Sequence, residues 1–456
     1  MRPERKRAAI SSHAERELAE AGDNLAQFLG AEVCRNKFGA HLSVRRWYAT
    51  PEMSMPDERS LALLLPADPQ RRRGIPNCAT NPEKWLFLDT ETTGLAGGTG
   101  TYAFLVGVAW WDAGGLQVEQ FFMRDYDEEH SLLLELSQRM KDRPVLVTFN
   151  GKSFDWPLLE TRYRMTRSIA PRAPAAHLDL LHPARQLWRL RLGSVRLKEL
   201  ERHVLAGEDG ALGWSREDDI DSAMIPQMYF DYLRGGAAEP LAGVFHHNQM
   251  DLRGLAALAG KILSLLGEGD NARGLQEPLD LYGLSRLLER RGESSRARAA
   301  CESALCIGLP AEIGQSARRE LAFSAKRSGE FGRANALWEE LAREGGPMER
   351  CSAIEQLAIH HEHRAKDIPS AIQATQEALR LLRKAKTLRW ALVSPSKLAD
   401  FDARFRRRLE RLERLAARQA PAGHSSLWEG RAHESRVPAA ESNPGSSREG
   451  KTHANR

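Results

Sequence analysis

The stretch Phe87-Leu88-Asp89-Thr90-Glu91-Thr92-Thr93-Gly94 is the segment of this 456-residue chain from which the fold is deduced. An apolar run from Trp85 to Leu88 leads directly into two carboxylates one residue apart. Residues i and i+2 of a strand point to the same face, so Asp89 and Glu91 are predicted to project side by side from the end of a buried strand. Two adjacent carboxylates repel each other unless a cation lies between them, and hard divalent ions take oxygen ligands. The alternative for this segment alone is a strand that ends in a polar turn.

Two further carboxylates lie beside predicted elements farther along the chain. Residues 145–149 are typical of a short buried strand, and Asp155 begins an apolar-periodic segment. Asp251 follows His246 and His247 and precedes apolar residues at helical spacing. Taken singly, Asp155 is more often a helix cap, and Asp251 is more often a surface acid that compensates the helix dipole.

Together these segments resemble the DEDD exonuclease superfamily, whose members have a ribonuclease-H-like fold. The first family motif, Asp-x-Glu-Thr-Thr-Gly, matches at Asp89 and Glu91. The second, Asn-x-x-x-Phe-Asp, matches residues 150–155, and the third, a His or Tyr shortly before Asp, matches residues 246–251. The resemblance covers about residues 83–266, which is less than half of the chain.

Within the superfamily the chain looks most like the YprB-type branch. The glycine-rich extension over residues 94–107 and the His-Asn-x-x-Asp form of the third motif carry this resemblance. In superfamily members with a catalytic histidine, that residue lies five positions before the last Asp, which favours His246 here. The YprB-type form, in which Asn248 follows the key residue, favours His247. Both histidines therefore remain candidates for the general base.

The resemblance implies a metal-dependent nuclease that hydrolyses phosphodiester bonds of nucleic acid, DNA or RNA, as a 3′→5′ exonuclease on single-stranded ends. It implies a two-metal-ion mechanism with Mg²⁺ or Mn²⁺ ions about 3.5–4 Å apart. The metal ligands would be Asp89, Glu91, Asp155 and Asp251. The alternative is an adaptor whose nuclease fold binds nucleic acid or protein without cutting, and the complete set of carboxylates argues against it. A proofreading exonuclease that works with a separate polymerase is a further alternative.

Positive charge is concentrated between residues 162 and 202, which hold ten Lys and Arg residues against three acidic ones. Basic residues with an interspersed aromatic can bind a phosphate backbone and stack a base, although a solvated helix face is the equal alternative. The threonines of the first motif either contact the nucleotide or cap a turn, and Asn150 either orients substrate or braces its turn. The candidate nucleic-acid contacts are Thr92, Thr93, Asn150, Arg189, Arg191 and Lys198.

Composition predicts a cytoplasmic protein of two to three domains. The apolar fraction is 42% and the net charge is +5, which permits nucleic-acid contact without requiring it. The five cysteines are scattered without zinc-site spacing, which is typical of a reducing compartment. No apolar run is long enough for a membrane span, so the sequence predicts neither export nor insertion.

We predict four parts: a partly ordered leader over 1–82, a ribonuclease-H-like α/β domain over 83–266, helical repeats over 277–419 and a disordered tail over 420–456. The α/β part is expected to have strands at about 85–90, 103–112, 116–123, 144–149 and 177–180. Its helices are expected at about 128–141, 154–165, 195–204 and 250–265.

The C-terminal part contains an internal repeat. Alanines recur at 297, 334 and 371, each 37 residues apart, and each is followed seven residues later by Ala304, Leu341 or Ala378. This pattern resembles the tetratricopeptide repeat, although the signature Trp and Tyr positions differ. A plain helical bundle is the alternative. Stacked repeats would present a groove for a protein partner or would position the nucleic acid.

Overall fold

The computed structural model of the protein describes residues 25–49, 57–65, 77–94, 99–206, 216, 219–267, 275, 277–387 and 395–419. The chain divides into two units, of which the first ends at Ala353 and the second begins at Ile354. The first unit contains the β-sheet and its covering helices, together with the first helices of the C-terminal region. No helix within the described ranges is long and apolar enough to cross a membrane.

Seven strands form one mixed sheet, in the order β1-β2-β5-β4-β3-β6-β7. β3 runs parallel to β6, and β6 runs parallel to β7, whereas the other neighbouring pairs are antiparallel. The predicted mixed α/β sheet followed by a helical region is thereby confirmed. The strands are β1 Glu32–Asn36, β2 Gly39–Ala49, β3 Trp85–Thr92, β4 Ala103–Asp112, β5 Gly115–Phe122, β6 Val145–Thr148 and β7 Ala176–Asp179.

The alternation of side chains along β3 explains why it lies at the centre of the sheet. Leu86 and Leu88 belong to the hydrophobic core on one face, and Trp85 and Phe87 belong to the core on the other. Because strand side chains alternate, Asp89 and Glu91 continue the face of Trp85 and Phe87. They do so at the carboxyl end of β3, which is also the edge where the parallel strands β6 and β7 end.

Helices cover both faces of the sheet. α2 and α3 pack into the core that contains Leu86 and Leu88, and α4 packs into the core on the opposite face. The longest helix, α7, contributes its first turns to one core and its later turns to the other. The helices of this part are α1 Glu58–Leu64, α2 Glu129–Asp142, α3 Asp155–Thr166, α4 Leu181–Leu192, α5 Leu197–Leu200, α6 Ile225–Leu233 and α7 Leu241–Leu266.

Single helical turns connect several of these elements, and residues 25–29 are also helical. The 3-10 turns are Asn77–Thr80, Pro82–Lys84, Tyr126–Glu128 and Ser222–Met224, and the π-helical turns are Glu201–Leu205 and His361–Ala365.

The sheet has two strands more than the five that the sequence predicts. β1 and β2 lie within the segment 1–82, and β2 pairs with β5 so that Leu42 lies opposite Phe122. The buried part of β2 includes His41 and Ser43, whose side chains are hydrogen-bonded to Ser131 and Glu119. The strand therefore lacks the apolar alternation on which sequence-based identification depends.

α7 begins nine residues earlier than the predicted helix 250–265. The polar run from His246 to Gln249 resembles the start of a helix, but it lies inside α7. His247 and Asn248 belong to this run and are buried in the protein. Their polar groups form contacts inside the protein and do not mark the beginning of a helix.

Seven further helices follow in the described part of the C-terminal region. They are α8 Pro278–Arg290, α9 Ser294–Ile307, α10 Ala311–Arg327, α11 Phe331–Glu344, α12 Pro347–His360, α13 Ile368–Thr387 and α14 Pro395–Gln419. In the second unit, Glu362 forms ion pairs with Arg408 and Arg411 of α14. The predicted disordered tail, 420–456, lies outside the described residues.

The 37-residue spacing of alanines corresponds to a repeated position on three helices. Ala297, Ala334 and Ala371 are each the fourth residue of their helix, and all three are buried. Small buried residues allow helices to pack closely, which agrees with a repeated helical unit. The resemblance to the tetratricopeptide repeat stays a prediction.

Gly107 on β4 allows α7 to approach the sheet closely. It lies opposite Asp89 in the β3–β4 register, and a Cβ atom placed on it would lie 2.1 Å from Oδ1 of Asn248. Without that atom, Nδ2 of Asn248 donates a hydrogen bond to Oδ2 of Asp89 at 2.8 Å. Nε2 of Gln120 donates to Oδ1 of Asn248 at 2.8 Å, which holds the amide in place.

Gly107→Ala is expected to lower the free energy of unfolding by about 1–3 kcal/mol, because the added methyl group overpacks the contact with Asn248. Gly332→Ala is the matched control, since no atom lies within 4 Å of a Cβ at that helical position. The control is expected to be neutral or slightly stabilising. Urea unfolding of both variants measures the difference, and equal stabilities would contradict the close approach.

Candidate active site

Three elements bring the four predicted carboxylates to one edge of the sheet. Asp89 and Glu91 come from β3, Asp155 is the first residue of α3, and Asp251 lies on α7. Burial raises the pKa of Asp89 well above its ordinary value, and the charges of Asp251, Glu91 and Asp155 raise it further. The four groups are therefore close enough to repel one another.

The same two causes act on the neighbouring carboxyl groups. Burial raises the pKa of Glu91 well above its ordinary value, with further contributions from Asp251, Asp155 and Asp219. Burial also raises the pKa of Asp155, partly opposed by a hydrogen bond from Thr90. Buried like charges favour protonation or the binding of a cation. The donor set, carboxylate oxygens only, suits a hard divalent ion such as Mg²⁺ or Mn²⁺.

Three of the four carboxylates accept hydrogen bonds from other side chains of the protein. Oγ1 of Thr90 donates to Oδ1 of Asp155 at 2.6 Å, and Nδ2 of Asn248 donates to Asp89 as described above. Nη2 of Arg216 donates to Oδ1 of Asp251 at 2.6 Å. Accordingly, in the described ranges no three His, Cys, Asp or Glu side chains are arranged to hold a metal ion as they stand. The carboxylates fit a divalent cation in chemistry and proximity, but their side chains would have to turn toward it.

The two candidate histidines differ in their surroundings. His247 is 3% exposed, whereas His246 is an exposed residue of the same helix. Nδ1 of His247 lies 2.6 Å from Oδ1 of Asp219, and its Nε2 lies 3.7 Å from Oδ2 of Asp251. Oγ of Ser222 is 3.3 Å from the same Nε2 atom. His247 is therefore the histidine that faces the carboxylates.

Sequence reasoning missed an ion-pair network around Asp219 and Arg216. Arg216 binds Glu201 through two hydrogen bonds of 2.5 and 2.7 Å, and it reaches Asp219 at 3.0 Å as well as Asp251. Lys198 contacts the second oxygen of Asp219 at 2.9 Å. Arg216 and Asp219 match none of the three family motifs and show no periodicity, so no sequence signal would have identified them.

The charges in this network shift the pKa values of Asp219 and Arg216. Burial alone would raise the pKa of Asp219, but hydrogen bonds from Lys198, His247 and Arg216 lower it below its usual range. Burial alone would lower the pKa of Arg216, but Glu201 and Asp251 raise it above its usual value. Both groups are therefore held firmly in their charged forms.

The predicted nucleic-acid contacts that lie nearest the first motif already have partners within the protein. Oγ1 of Thr92 donates to the carbonyl of Gly94 at 3.0 Å, and Oγ1 of Thr93 accepts from the backbone N–H of Tyr102 at 3.0 Å. These bonds correspond to the turn-capping alternative. Lys198 is paired with Asp219, as described above.

The remaining predicted contacts lie on or before α4. Arg191 forms an ion pair with Asp280 of α8 at 2.8 Å, so its charge is neutralised within the protein. Arg189 is exposed on the same helix. Asn150 has a left-handed backbone, with φ of 68°, and its N–H donates to Oδ1 of Asp179 at 2.8 Å, which braces the turn after β6.

Comparison with known proteins relates these features to one family. A solved structure, the family B DNA polymerase from Pyrobaculum calidifontis, matches with 17% identity and a TM-score of 0.31. That match covers 46% of this chain and 29% of the polymerase, so the chain spans less than a third of that protein.

Two sequence matches are stronger. The profile of the RNase H superfamily matches residues 86–263, which contain Asp89, Glu91, Asp155 and Asp251. The uncharacterized protein YprB of Bacillus subtilis (strain 168) is 32% identical over 304 residues, which are 66% of this chain and 70% of YprB. This chain therefore belongs to the YprB family and contains an RNase H superfamily domain with a nuclease-type fold.

Proposed function

We propose that the protein is a metal-dependent nuclease that hydrolyses phosphodiester bonds, acting as a 3′→5′ exonuclease on single-stranded ends. The convergence of four carboxylates at the carboxyl edge of the sheet, where burial and repulsion raise the pKa values of Asp89, Glu91 and Asp155, supports this proposal most directly. Such a cluster is destabilising unless it binds a cation.

Asp89, Glu91, Asp155 and Asp251 would hold the divalent ions. When bound, such ions lower the pKa of a water nucleophile and neutralise the charge of the reacting phosphate. Arg216 now donates to Oδ1 of Asp251, so an ion would share this carboxylate with the guanidinium or bind through Oδ2. Thr90 and Asn248 similarly hold the orientation of Asp155 and Asp89.

His247 is the proposed general base. The contact between its Nδ1 and Asp219 assigns the proton to Nδ1, so the lone pair of Nε2 points toward the side of the ring near Asp251. From that position Nε2 can accept a proton from the attacking water. Asp219 acts as a positioning residue, because it holds the ring and stabilises the positive charge that forms when the proton is accepted.

The proposal also gives a role to the helical region from α8 to α14. We infer that it recruits a protein partner or positions the nucleic acid, as stacked helical pairs expose extended surfaces. Co-purification with the full chain tests for the partner, because a protein that binds this region is expected to be recovered with it.

Cleavage of 5′-labelled single-stranded DNA and RNA oligonucleotides is expected to require Mn²⁺ or Mg²⁺ and to stop in EDTA. The expected product is a ladder of shortened 5′-labelled strands. Asp89→Asn is expected to reduce the rate more than about 100-fold, since a lost ligand removes several kcal/mol of transition-state stabilisation. Asp112→Asn is the matched control, because Asp112 ends β4 at the opposite edge of the sheet. If the wild type cuts neither substrate with either ion, the adaptor alternative gains support.

His247→Gln is expected to lower kcat about 100- to 10,000-fold, because it removes the proton acceptor. His246→Gln is expected to retain most of the activity, because that side chain is exposed. Steady-state rates of both variants with the same labelled strand separate the two assignments. The reverse ranking would assign the base to His246.

Addition of Mn²⁺ at a hundredfold excess over its Kd is expected to raise the Tm by about 5–10 °C, because binding to the folded state alone stabilises it by about 2.7 kcal/mol. Asp89→Asn should lose most of this rise, yet it should be at least as stable as the wild type in EDTA, since the neutral amide removes a repelling charge. Differential scanning calorimetry measures both effects.

The pH dependence of the stability, measured in the same way, is a second test of the carboxylate cluster. Because burial and repulsion raise the carboxyl pKa values in the folded state, the folded protein binds more protons than the unfolded chain. The stability of the metal-free wild type therefore falls as pH rises through these raised values, and Asp89→Asn weakens this fall. A variant with the same pH dependence as the wild type would contradict the cluster.

A further inference from the structure

An open cavity of about 510 Å³ lies between the turn after β6 and the loop that follows α4. Three arginines line it: Arg185 and Arg189 on α4, and Arg196 in the loop. Phe149 and Asn150 form part of the opposite wall, and we call this feature the arginine cavity.

The arginine cavity has positive charges without matching negative ones. Its lining contains three guanidinium groups and no carboxylate. All three arginines are exposed, and in the described ranges none of their side chains has a hydrogen-bond or ion-pair partner. Arg191 of the same helix differs, because it is paired with Asp280.

Helix stability does not account for this arrangement. A cation in the last turn interacts favourably with the helix dipole, which is sufficient for Arg189. Arg185 lies in the middle of α4 and Arg196 lies outside it, so neither has that benefit. Arg185 and Arg189 are also one turn apart, and like charges at this spacing destabilise a helix by a few tenths of a kcal/mol. A bound anionic ligand would attract both arginines and would thereby offset their mutual repulsion.

Two chain segments connect the lining of the cavity to residues of the proposed active site. Asn150 begins the segment that leads to Asp155, and Asp179 fixes it by accepting hydrogen bonds from the backbone N–H groups of Asn150 and Lys152. On the other wall, Leu197 lines the cavity, and the adjacent Lys198 reaches Asp219, which holds His247.

The side chain of Asn150 adds a neutral donor to this wall. Its amide has no hydrogen-bond partner within the part of the chain that the structure describes, while its backbone is braced as stated above. A phosphate group takes hydrogen bonds from both guanidinium and amide donors. Phe149 is half-buried in the same wall and offers apolar surface to a sugar or a base.

We propose that the arginine cavity binds the sugar–phosphate backbone of a single nucleic-acid strand whose end lies at the carboxylates. Arg185, Arg189 and Arg196 contact phosphates, so the interaction is independent of base sequence. The proposal rests on the proposed function for its substrate class, but binding to the cavity does not require cleavage.

The test is fluorescence anisotropy of a labelled single-stranded oligonucleotide in EDTA, where no cleavage is expected. The triple variant Arg185→Gln/Arg189→Gln/Arg196→Gln is compared with the wild type. We expect the triple variant to bind at least about tenfold more weakly at physiological salt. The slope of log K against log salt concentration should fall in magnitude by about 2, since each phosphate contact to a single strand contributes about 0.7.

Arg172→Gln is the matched control. Arg172 is exposed close to the amino end of β7, which is the edge of the sheet opposite Asn150, and its loss should leave the affinity unchanged. An abasic strand of equal length is expected to show the same loss of affinity in the triple variant. Thermal unfolding verifies that each variant is folded.

Each outcome bears on the two proposals separately. A folded triple variant with wild-type affinity and salt slope would overturn the cavity proposal, whether or not the wild type cuts nucleic acid. Conversely, a wild type that binds through the cavity but never cuts with Mn²⁺ or Mg²⁺ would retain the cavity and overturn the nuclease. A loss in log K for Arg172→Gln of about one third of that for the triple variant would show only a general effect of charge, because it removes one charge instead of three, and would also overturn the cavity proposal.

Discussion

Repulsion between carboxylates at the end of a buried strand is the constraint on which the arrangement of this domain depends. Asp89 and Glu91 lie on the same face of β3, and Asp251 approaches them from α7. Burial removes the water that would screen these charges, so every member makes ionisation of the next more costly. Hydrophobic cores on both faces of β3 hold the strand in place, and their packing offsets this cost.

The chain limits the repulsion with donors of its own. Asn248 donates to Asp89 and Thr90 donates to Asp155, which are neutral interactions, whereas Arg216 places a full positive charge on Asp251. A divalent ion bound as proposed would share the carboxylate of Asp251 with the guanidinium of Arg216. Ion binding would then weaken the Arg216 contact, and that contact would weaken ion binding by the same free energy.

The sequence predicts elements well where one physical rule decides them. The apolar run Trp85–Leu88 followed by two carboxylates predicts both the central strand and the position of its acids, and the described strand extends over Trp85–Thr92. The sequence does not predict β2, because His41 and Ser43 are buried although they are polar. Their side chains form hydrogen bonds with residues that are distant in sequence. The start of α7 is misplaced for a similar reason, since His247 and Asn248 look exposed until their partners are known.

Arg216 and Asp219 represent the limit of such reasoning. Their roles depend on which groups the fold brings near them. Apart from Asp219, the carboxylate partner of Arg216 that is nearest in sequence is Glu201, which lies fifteen residues away. The roles of the arginines of α4 also depend on tertiary contacts. Charge alone makes Arg185, Arg189 and Arg191 equivalent, yet the packing of α8 gives Arg191 a carboxylate at Asp280 and leaves the other two facing an acid-free cavity. A cation paired within the protein contributes to its structure, whereas an unpaired one can contact an anionic ligand such as a phosphate. Tertiary contacts therefore divide a basic segment, which the sequence presents as uniform, into residues that hold the fold together and residues whose charge is not neutralised within the cavity.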